Sequence, residues 1–166
     1  MRNLIHATLA AVLLAIPFTH AHAQITLAQL KTLDECALTR LYEQAPAGAI
    51  PLGYGRGHVL LMINTKTQVK ARLANTVWKG KHFDKYGDFI NQWPGFRALS
   101  GHAEHAPSWY DGKSSISVSY ARGTPVFGNT RDEMREIAPG LYLCRLYELG
   151  LCPRFRAYFV IEVACR

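Results

Sequence analysis

The sequence lacks several patterns that would indicate a particular activity. It contains no G-x-S-x-G nucleophile motif, no P-loop and no dinucleotide-binding fingerprint. The glycines of "GYGRG" (53–57) precede a predicted strand, so they do not form a phosphate-binding turn between a strand and a helix. The sequence therefore predicts no cofactor, and the residues do not indicate catalysis by a nucleophilic serine.

Blocks of like charge are also missing. The 166 residues include 19 Lys and Arg against 12 Asp and Glu, a net charge of +7, but the basic residues are scattered. A nucleic-acid-binding protein commonly carries its basic residues as a patch or a run. The charge is compatible with anionic partners, and no specific nucleic-acid partner is predicted.

One apolar run stands at the N-terminus, and no later run could span a membrane. Residues 9–18 are apolar, they follow Arg2, and "AHA" (21–23) has the small-x-small form of a signal-peptidase site. The run is shorter than the roughly 20 residues of a spanning helix. We expect a signal peptide over 1–23, a single domain over 24–166, no membrane anchor after cleavage, and a periplasmic or secreted protein.

The four cysteines include no C-x-x-C pair, which argues against a zinc cage. An even number of cysteines in an exported chain favours disulfides. Of the three possible pairings, we favour Cys144 with Cys152, which flank Gly150 and Pro153, and Cys36 with Cys165.

Two helices are predicted in the first half of the chain. Residues 26–44 carry apolar residues at helical spacing and a capping box of Thr32 and Glu35, and the Pro- and Gly-rich stretch 45–57 ends that helix. A second, shorter helix is predicted over 70–77.

The remainder of the pattern is β. "SISVSY" alternates, with Ile116, Val118 and Tyr120 on one face and serines on the other. In the last strand Phe155, Ala157, Phe159, Ile161 and Val163 are expected to share a face. The predicted strands are 58–63, 115–120, 140–149 and 154–163. Short turns between long strands predict an antiparallel meander, so the chain is mostly β (α+β) and forms a small barrel or curled sheet.

Several segments together resemble a group of small bacterial lipocalin-like, or calycin-like, β-barrel proteins. They are "PLGYGRGHVLLMI", "VWKGKHFD", "PSWYDGKSSISVSY", "TPVFGNTRDEMREIAPGLYLCRLY" and "PRFRAYFVIE", which cover most of residues 50–163. The resemblance implies a barrel whose interior is able to hold a small apolar ligand.

The stretch "SGHAEHAPSWYDGKSS" (99–114) poses the question of a metal site. Asp111-Gly112 before an alternating run is a strong hairpin signal, which places the two histidines on a strand. Residues three apart on a strand face opposite sides, so His102 and His105 would need a distant third ligand such as His58, His82 or Asp84. They are weak metal candidates, and no metal is predicted.

Aromatic residues mixed with lysines suggest a ligand site. In "VWKGKHFDKYGDFINQW" (77–93), aromatic rings could surround a ligand whose anionic head meets a lysine, or they could be ordinary core under a solvated surface. The candidate ligand-binding residues are Trp78, Lys81, Phe83, Trp109, Tyr120 and Phe127.

The most charged stretch is 128–140. Asp132 and Glu133 are adjacent, so on a strand they point to opposite faces and make a poor acid–base pair. We expect Arg131 or Arg135 to pair with Asp111 or Asp132 at the end of the barrel and to close it.

Three functions remain open from the sequence. The leading one is an exported protein that binds a small lipophilic or amphipathic molecule. The second is an enzyme, a hydrolase or an isomerase, that uses His102, Glu104, His105 and Asp111 as acid, base or metal ligands. The third is a secreted interaction module that binds through a basic surface.

Overall fold

The computed structural model describes residues 25–63, 67–121, 124 and 128–164, with backbone alone for 67–70. The predicted signal peptide, Phe127 and Cys165 lie outside these residues. Within the described ranges, no helix is both long and apolar enough to cross a membrane.

Eight antiparallel strands close into a barrel, and each strand pairs with its neighbours in sequence order. The first and last strands also pair with each other, from Gly55 with Val163 to Met62 with Ala157. This is the mostly β, antiparallel meander that the sequence predicts. The strands are β1 (Gly53–Met62), β2 (Gly80–Phe83), β3 (Asp88–Trp93), β4 (Phe96–Pro107), β5 (Ser114–Tyr120), β6 (Thr130–Ala138), β7 (Leu141–Glu148) and β8 (Arg154–Val163).

The N-terminal helical region forms two helices, α1 (Leu27–Leu30) and α2 (Glu35–Gln44). The prediction of one helix over 26–44 was therefore wrong, as was its capping box. Asp34 caps α2 by accepting a hydrogen bond from the Ala37 backbone at 2.8 Å. Thr32 instead bonds back to the Gln29 carbonyl at the end of α1.

Strand β1 begins five residues before the predicted strand, inside the Pro- and Gly-rich stretch 45–57 that was expected to end the first helix. Gly55 and Gly57 lie on its inner face, where a Cβ on Gly55 would overlap Ile161 and one on Gly57 would overlap the Trp78 ring. Glycine is required here because the barrel wall passes very close to other groups. Composition alone suggests a turn at these positions, and only the packing shows why they lie in a strand.

Two apolar layers stabilise the molecule. One lies inside the barrel and includes Ile116, Val118, Met134, Phe159 and Ile161. The other lies between α1–α2 and the outer face of β7–β8, where Leu38 and Tyr42 pack on Leu143, Tyr158 and Val160. The helices thus cover one side of the outer wall, and side chains from the strands form the apolar interior.

Helix α3 (Thr67–Val77) lies between β1 and β2 in sequence and packs on β1. The side chain of Asn75 accepts a hydrogen bond from the Val59 N–H at 2.7 Å and donates one to the Val59 carbonyl at 3.0 Å. The β1–β8 register shifts between Val59 and Leu61, so Asn75 satisfies backbone groups at a bulge. This bond pair fixes α3 beside the barrel interior.

The predicted turn after β4 is present. Asp111 and Gly112 lie in the connection 108–113 between β4 and β5, Gly112 has a φ of +72°, and the Ser108 N–H bonds the Lys113 carbonyl. The strand that follows places Ile116, Val118 and Tyr120 toward the interior, as the alternation predicts.

The predicted disulfide between Cys144 and Cys152 is absent. Cys144 is a free thiol buried inside the barrel, whereas Cys152 is a free, exposed thiol in the β7–β8 connection. Cys144 lies mid-strand and faces inward, so the two thiols cannot meet across that connection. Cys36 is free and exposed, and its predicted partner Cys165 is outside the described residues.

Candidate functional site

A cavity of about 230 Å³ lies inside the barrel beside α3. Its walls are largely apolar and come from β1, α3, β7 and β8 and from Trp78, which follows α3; they include Val59, Leu146, Ala157 and Phe159. Val77 and Arg156 also line it and are partly exposed, so the cavity meets solvent near the end of α3. A larger groove of about 620 Å³ lies beside the β6–β7 turn and adjoins Ile25, where the described chain begins.

The inner end of the cavity is polar and consists of Lys81, Asn91, Tyr120 and Asp132. The Lys81 ammonium, 1 % exposed, donates to the Tyr120 hydroxyl at 2.6 Å and to Asn91 Oδ1 at 3.0 Å. Its third contact is the Asp132 carboxylate at 3.2 Å. An ammonium has three donors, so these groups occupy all of them.

Aromatic rings complete the surroundings of the ammonium. Its nitrogen lies 4.6 Å from the centroid of Phe89 and 4.7 Å from that of Tyr120. Such contacts stabilise a cation that has lost its water.

The electrostatics of the cluster follow from burial and contact. Burial raises the pKa of the Asp132 carboxyl, and the adjacent Lys81 and Tyr120 oppose that shift. Burial also disfavours the Lys81 ammonium, but Tyr120 and Asp132 outweigh it and raise the pKa of Lys81. Burial raises the pKa of Tyr120 as well, which keeps its phenol protonated at neutral pH. The contact of 3.2 Å between Lys81 Nζ and Asp132 Oδ2 makes these two side chains a buried ion pair.

A backbone irregularity orients Asn91. The β3–β4 register shifts opposite Asn91, and Leu99 there has a φ of +65°, a conformation rare outside glycine. The Leu99 carbonyl accepts a hydrogen bond from Asn91 Nδ2 at 2.8 Å. This bond identifies the amide nitrogen, so Oδ1 faces the Lys81 ammonium and the Trp78 indole N–H, which donates to it at 2.9 Å. The strained residue thus has a positioning role.

One acceptor of the cluster is unused. Asp132 is 1 % exposed, and its Oδ2 binds Lys81, but its Oδ1 has no hydrogen-bonding partner among the residues that the structure describes. A buried acceptor without a partner costs free energy, of the order of 1–3 kcal/mol and more for a charged group. Asp132 lines the cavity, so a molecule in the cavity could supply the missing donor.

The structure brings three of the six predicted ligand residues to the cavity, namely Trp78, Lys81 and Tyr120. Phe83 lies in the closed part of the core against Phe89 and does not line the cavity. Trp109 is on the outside of the barrel, where its ring packs on Tyr147. Phe127 is outside the described residues. Asn91 and Asp132 were not identified from the sequence as residues that line the cavity. For Asn91 a signal was available, because it is a polar residue on the same face of β3 as Phe89 and Trp93.

The residues proposed for an enzyme do not converge. His102 is on the outer surface, where Nδ1 lies 2.8 Å from the exposed Asp88 carboxylate, and His105 is exposed further along β4. Glu104 is exposed and Asp111 binds Arg135. Across the described part of the chain, no three His, Cys, Asp or Glu side chains come together as metal ligands.

Arg135 and Asp111 pair as the sequence suggests, but on the outer face of the barrel and not across its end. The guanidinium, fully buried, donates to both Asp111 oxygens at 2.6 and 2.8 Å and to the Tyr42 carbonyl at 3.1 Å. It therefore joins β6, the β4–β5 connection and the end of α2. Glu133 faces the same side and accepts from Ser108 and from the Trp109 N–H, whereas Asp132 faces the interior.

Comparison with known proteins supports the architecture alone. No protein-family model matches the sequence, and no curated protein matches it. The crystal structure of a protein from Thermomonospora curvata is similar, with a TM-score of 0.56 and 17 % sequence identity. The similarity covers 80 % of this chain and 89 % of that chain. At this identity the likeness shows the fold alone, and the closed eight-stranded barrel is consistent with a calycin-like fold.

Proposed function

We propose that this protein binds a small amphipathic molecule inside the barrel. The observation that carries the proposal is the cavity of about 230 Å³, which has apolar walls and a fully buried polar inner end. Small-molecule sites commonly combine apolar walls with a few convergent polar groups. A barrel with a filled interior would offer no such space.

The size of the cavity sets the size of the ligand. Drug-sized ligands occupy pockets of about 300–1,000 Å³, whereas a cavity of about 150 Å³ holds benzene. The observed volume lies between these limits and fits one substituted ring or a short branched chain. A long fatty acid exceeds it.

No observation favours the enzymatic alternative, because the residues named for it do not come together in the described part of the chain. For the interaction-module alternative, the described residues define no particular binding surface. Export belongs to the proposal as well, and it rests on residues 1–23; cell fractionation and a mature N-terminus at Gln24 would support it.

Binding is tested by filling the cavity from α3. Ala74 lines the cavity and Thr76 is exposed on the same helix, so Ala74→Phe and Thr76→Phe add the same ring in different places. We expect calorimetry with p-xylene and p-cresol to detect binding to the wild type and to Thr76→Phe. Affinity should fall at least tenfold in Ala74→Phe. Equal affinity in both variants, or no binding to the wild type, would contradict the proposal.

A further inference from the structure

If the cavity is a binding site as proposed above, the hydrogen-bonding groups at its inner end restrict the chemistry of the ligand. The Lys81 ammonium directs its three N–H donors to Tyr120, Asn91 and Asp132. An anionic head would have to break one of these bonds to reach the ammonium. The lysine therefore has a structural role, and the expectation that it anchors an anionic group is not supported.

The unmet group is an acceptor. Asp132 Oδ1 is buried, lines the cavity and has no partner within the described part of the chain. Oδ2 is paired with the Lys81 ammonium at 3.2 Å, and as the second oxygen of a carboxylate in this ion pair Oδ1 accepts a hydrogen bond and does not donate one. A site with a buried acceptor discriminates strongly against ligands that lack the matching donor, because such ligands leave the acceptor unpaired.

The charge balance argues for a neutral donor. The charges of Lys81 and Asp132 compensate each other at 3.2 Å. A cationic amine at Oδ1 would add a second positive charge close to the ammonium, in a region of low dielectric constant. A hydroxyl or a neutral N–H supplies the hydrogen bond without that repulsion.

The walls argue for an aromatic body. Trp78 and Phe159 line the cavity and meet edge to face at 5.4 Å between ring centroids, and Tyr120 lines it beside Asp132. Aromatic walls favour a flat ring through edge and face contacts. We infer that the cavity takes a neutral aromatic ligand of the phenol or indole class, whose O–H or N–H donates to Asp132 Oδ1.

The inference is tested with ligands that differ in one group. p-Cresol and p-xylene have nearly the same shape, and only p-cresol has a donor. Binding is followed by calorimetry and by the NMR signal of the Trp78 indole N–H, which is identified with Trp78→Phe. We expect p-cresol to bind at least tenfold more tightly than p-xylene, in line with a hydrogen bond to a charged group. The anion p-toluate should bind more weakly than either.

The outcomes separate the two proposals. If neither p-cresol nor p-xylene binds, the proposed function itself is wrong. If p-xylene binds as tightly as p-cresol, or p-toluate binds most tightly, the cavity is a binding site but the donor inference is overturned.

Asp132→Asn gives an independent check. The amide would direct its oxygen to the Lys81 ammonium, which leaves a donor in the place of Oδ1. We expect the preference for p-cresol over p-xylene to fall, because the phenol oxygen would then accept from a neutral amide and would no longer donate to a carboxylate. Asp88→Asn, on the exposed surface, is the control that retains the preference. A preserved preference in Asp132→Asn would overturn the inference, and the wild-type comparison stands even if that variant is unstable.

Discussion

At the scale of single residues, the interior of this barrel depends on one ammonium that is fully withdrawn from water. Lys81 meets three oxygens and the faces of aromatic rings, so its charge is compensated without solvent. The sequence could suggest that Lys81 lies near aromatic residues. It could not show that the ammonium is saturated, because the partners come from β3, β5 and β6, which are remote in the chain.

We expect the Lys81–Asp132 pair to show strong coupling. Removing one partner leaves an uncompensated buried charge, so Lys81→Met and Asp132→Leu should each lower the free energy of unfolding by about 3–5 kcal/mol. The double variant should lose clearly less free energy of unfolding than the two single variants lose together, because an apolar pair leaves no buried charge without a partner. Urea unfolding of the four proteins measures this coupling. Additive losses would show that the two groups act independently.

At the scale of elements, the outer network joins α2 to the barrel. Arg135 on β6 binds Asp111 in the β4–β5 connection and the last turn of α2 at Tyr42. Arg145 on β7 adds a second cation, with its guanidinium 4.1 Å from the Tyr110 ring and 4.3 Å from the Phe155 ring. Phe155 reaches this outer cluster, and not the interior as its alternation predicts, because the β7–β8 register shifts beside it.

The Arg135–Asp111 pair should make stability sensitive to acid. The hydrogen bonds from Arg135 lower the pKa of Asp111 below its ordinary 3.8. The stabilisation is therefore complete above that ordinary value and is lost as the pH falls through the lower, folded-state value. At pH 7 Asp111→Asn should melt at a lower temperature than the wild type. At pH 2 the two melting temperatures should lie closer together, because the Asp111 carboxylate of the wild type is then becoming protonated. Asp88→Asn, whose carboxylate is 67 % exposed, is the control. An equal difference at both pH values would contradict this role.

At the scale of the whole molecule, the barrel closes on itself and has no free strand edge between β1 and β8. Two apolar layers, one inside the barrel and one under the helices, stabilise it. The structure achieves this without the Cys144–Cys152 cross-link that the cysteine count suggested.

The thiols give a direct check of that arrangement. Under native conditions iodoacetamide should modify the exposed Cys36 and Cys152 and spare Cys144, because burial raises the pKa of the Cys144 thiol well above its ordinary value and excludes the reagent. Peptide mass mapping identifies the modified sites, and unfolding in urea should expose Cys144. A peptide that links Cys144 to Cys152 would show that the free-thiol description is wrong.

The sequence by itself determined the parts that depend on local pattern. Alternation placed Ile116, Val118 and Tyr120 on one face, and Asp111-Gly112 located the connection before β5, because strand side chains alternate and turns need particular backbone conformations. The same rule placed Asp132 and Glu133 on opposite faces.

Only the tertiary structure decided which face is the inside. Closure of the sheet put Asp132 in the cavity and Glu133 under α2, and it put Trp109 outside. The bulge at Leu99 and the glycines of β1 are also set by contacts between distant strands, which no local pattern records. The sequence thus determined the alternation of strands such as β5. The three-dimensional packing determined the cavity and left Asp132 Oδ1 without a partner among the described residues.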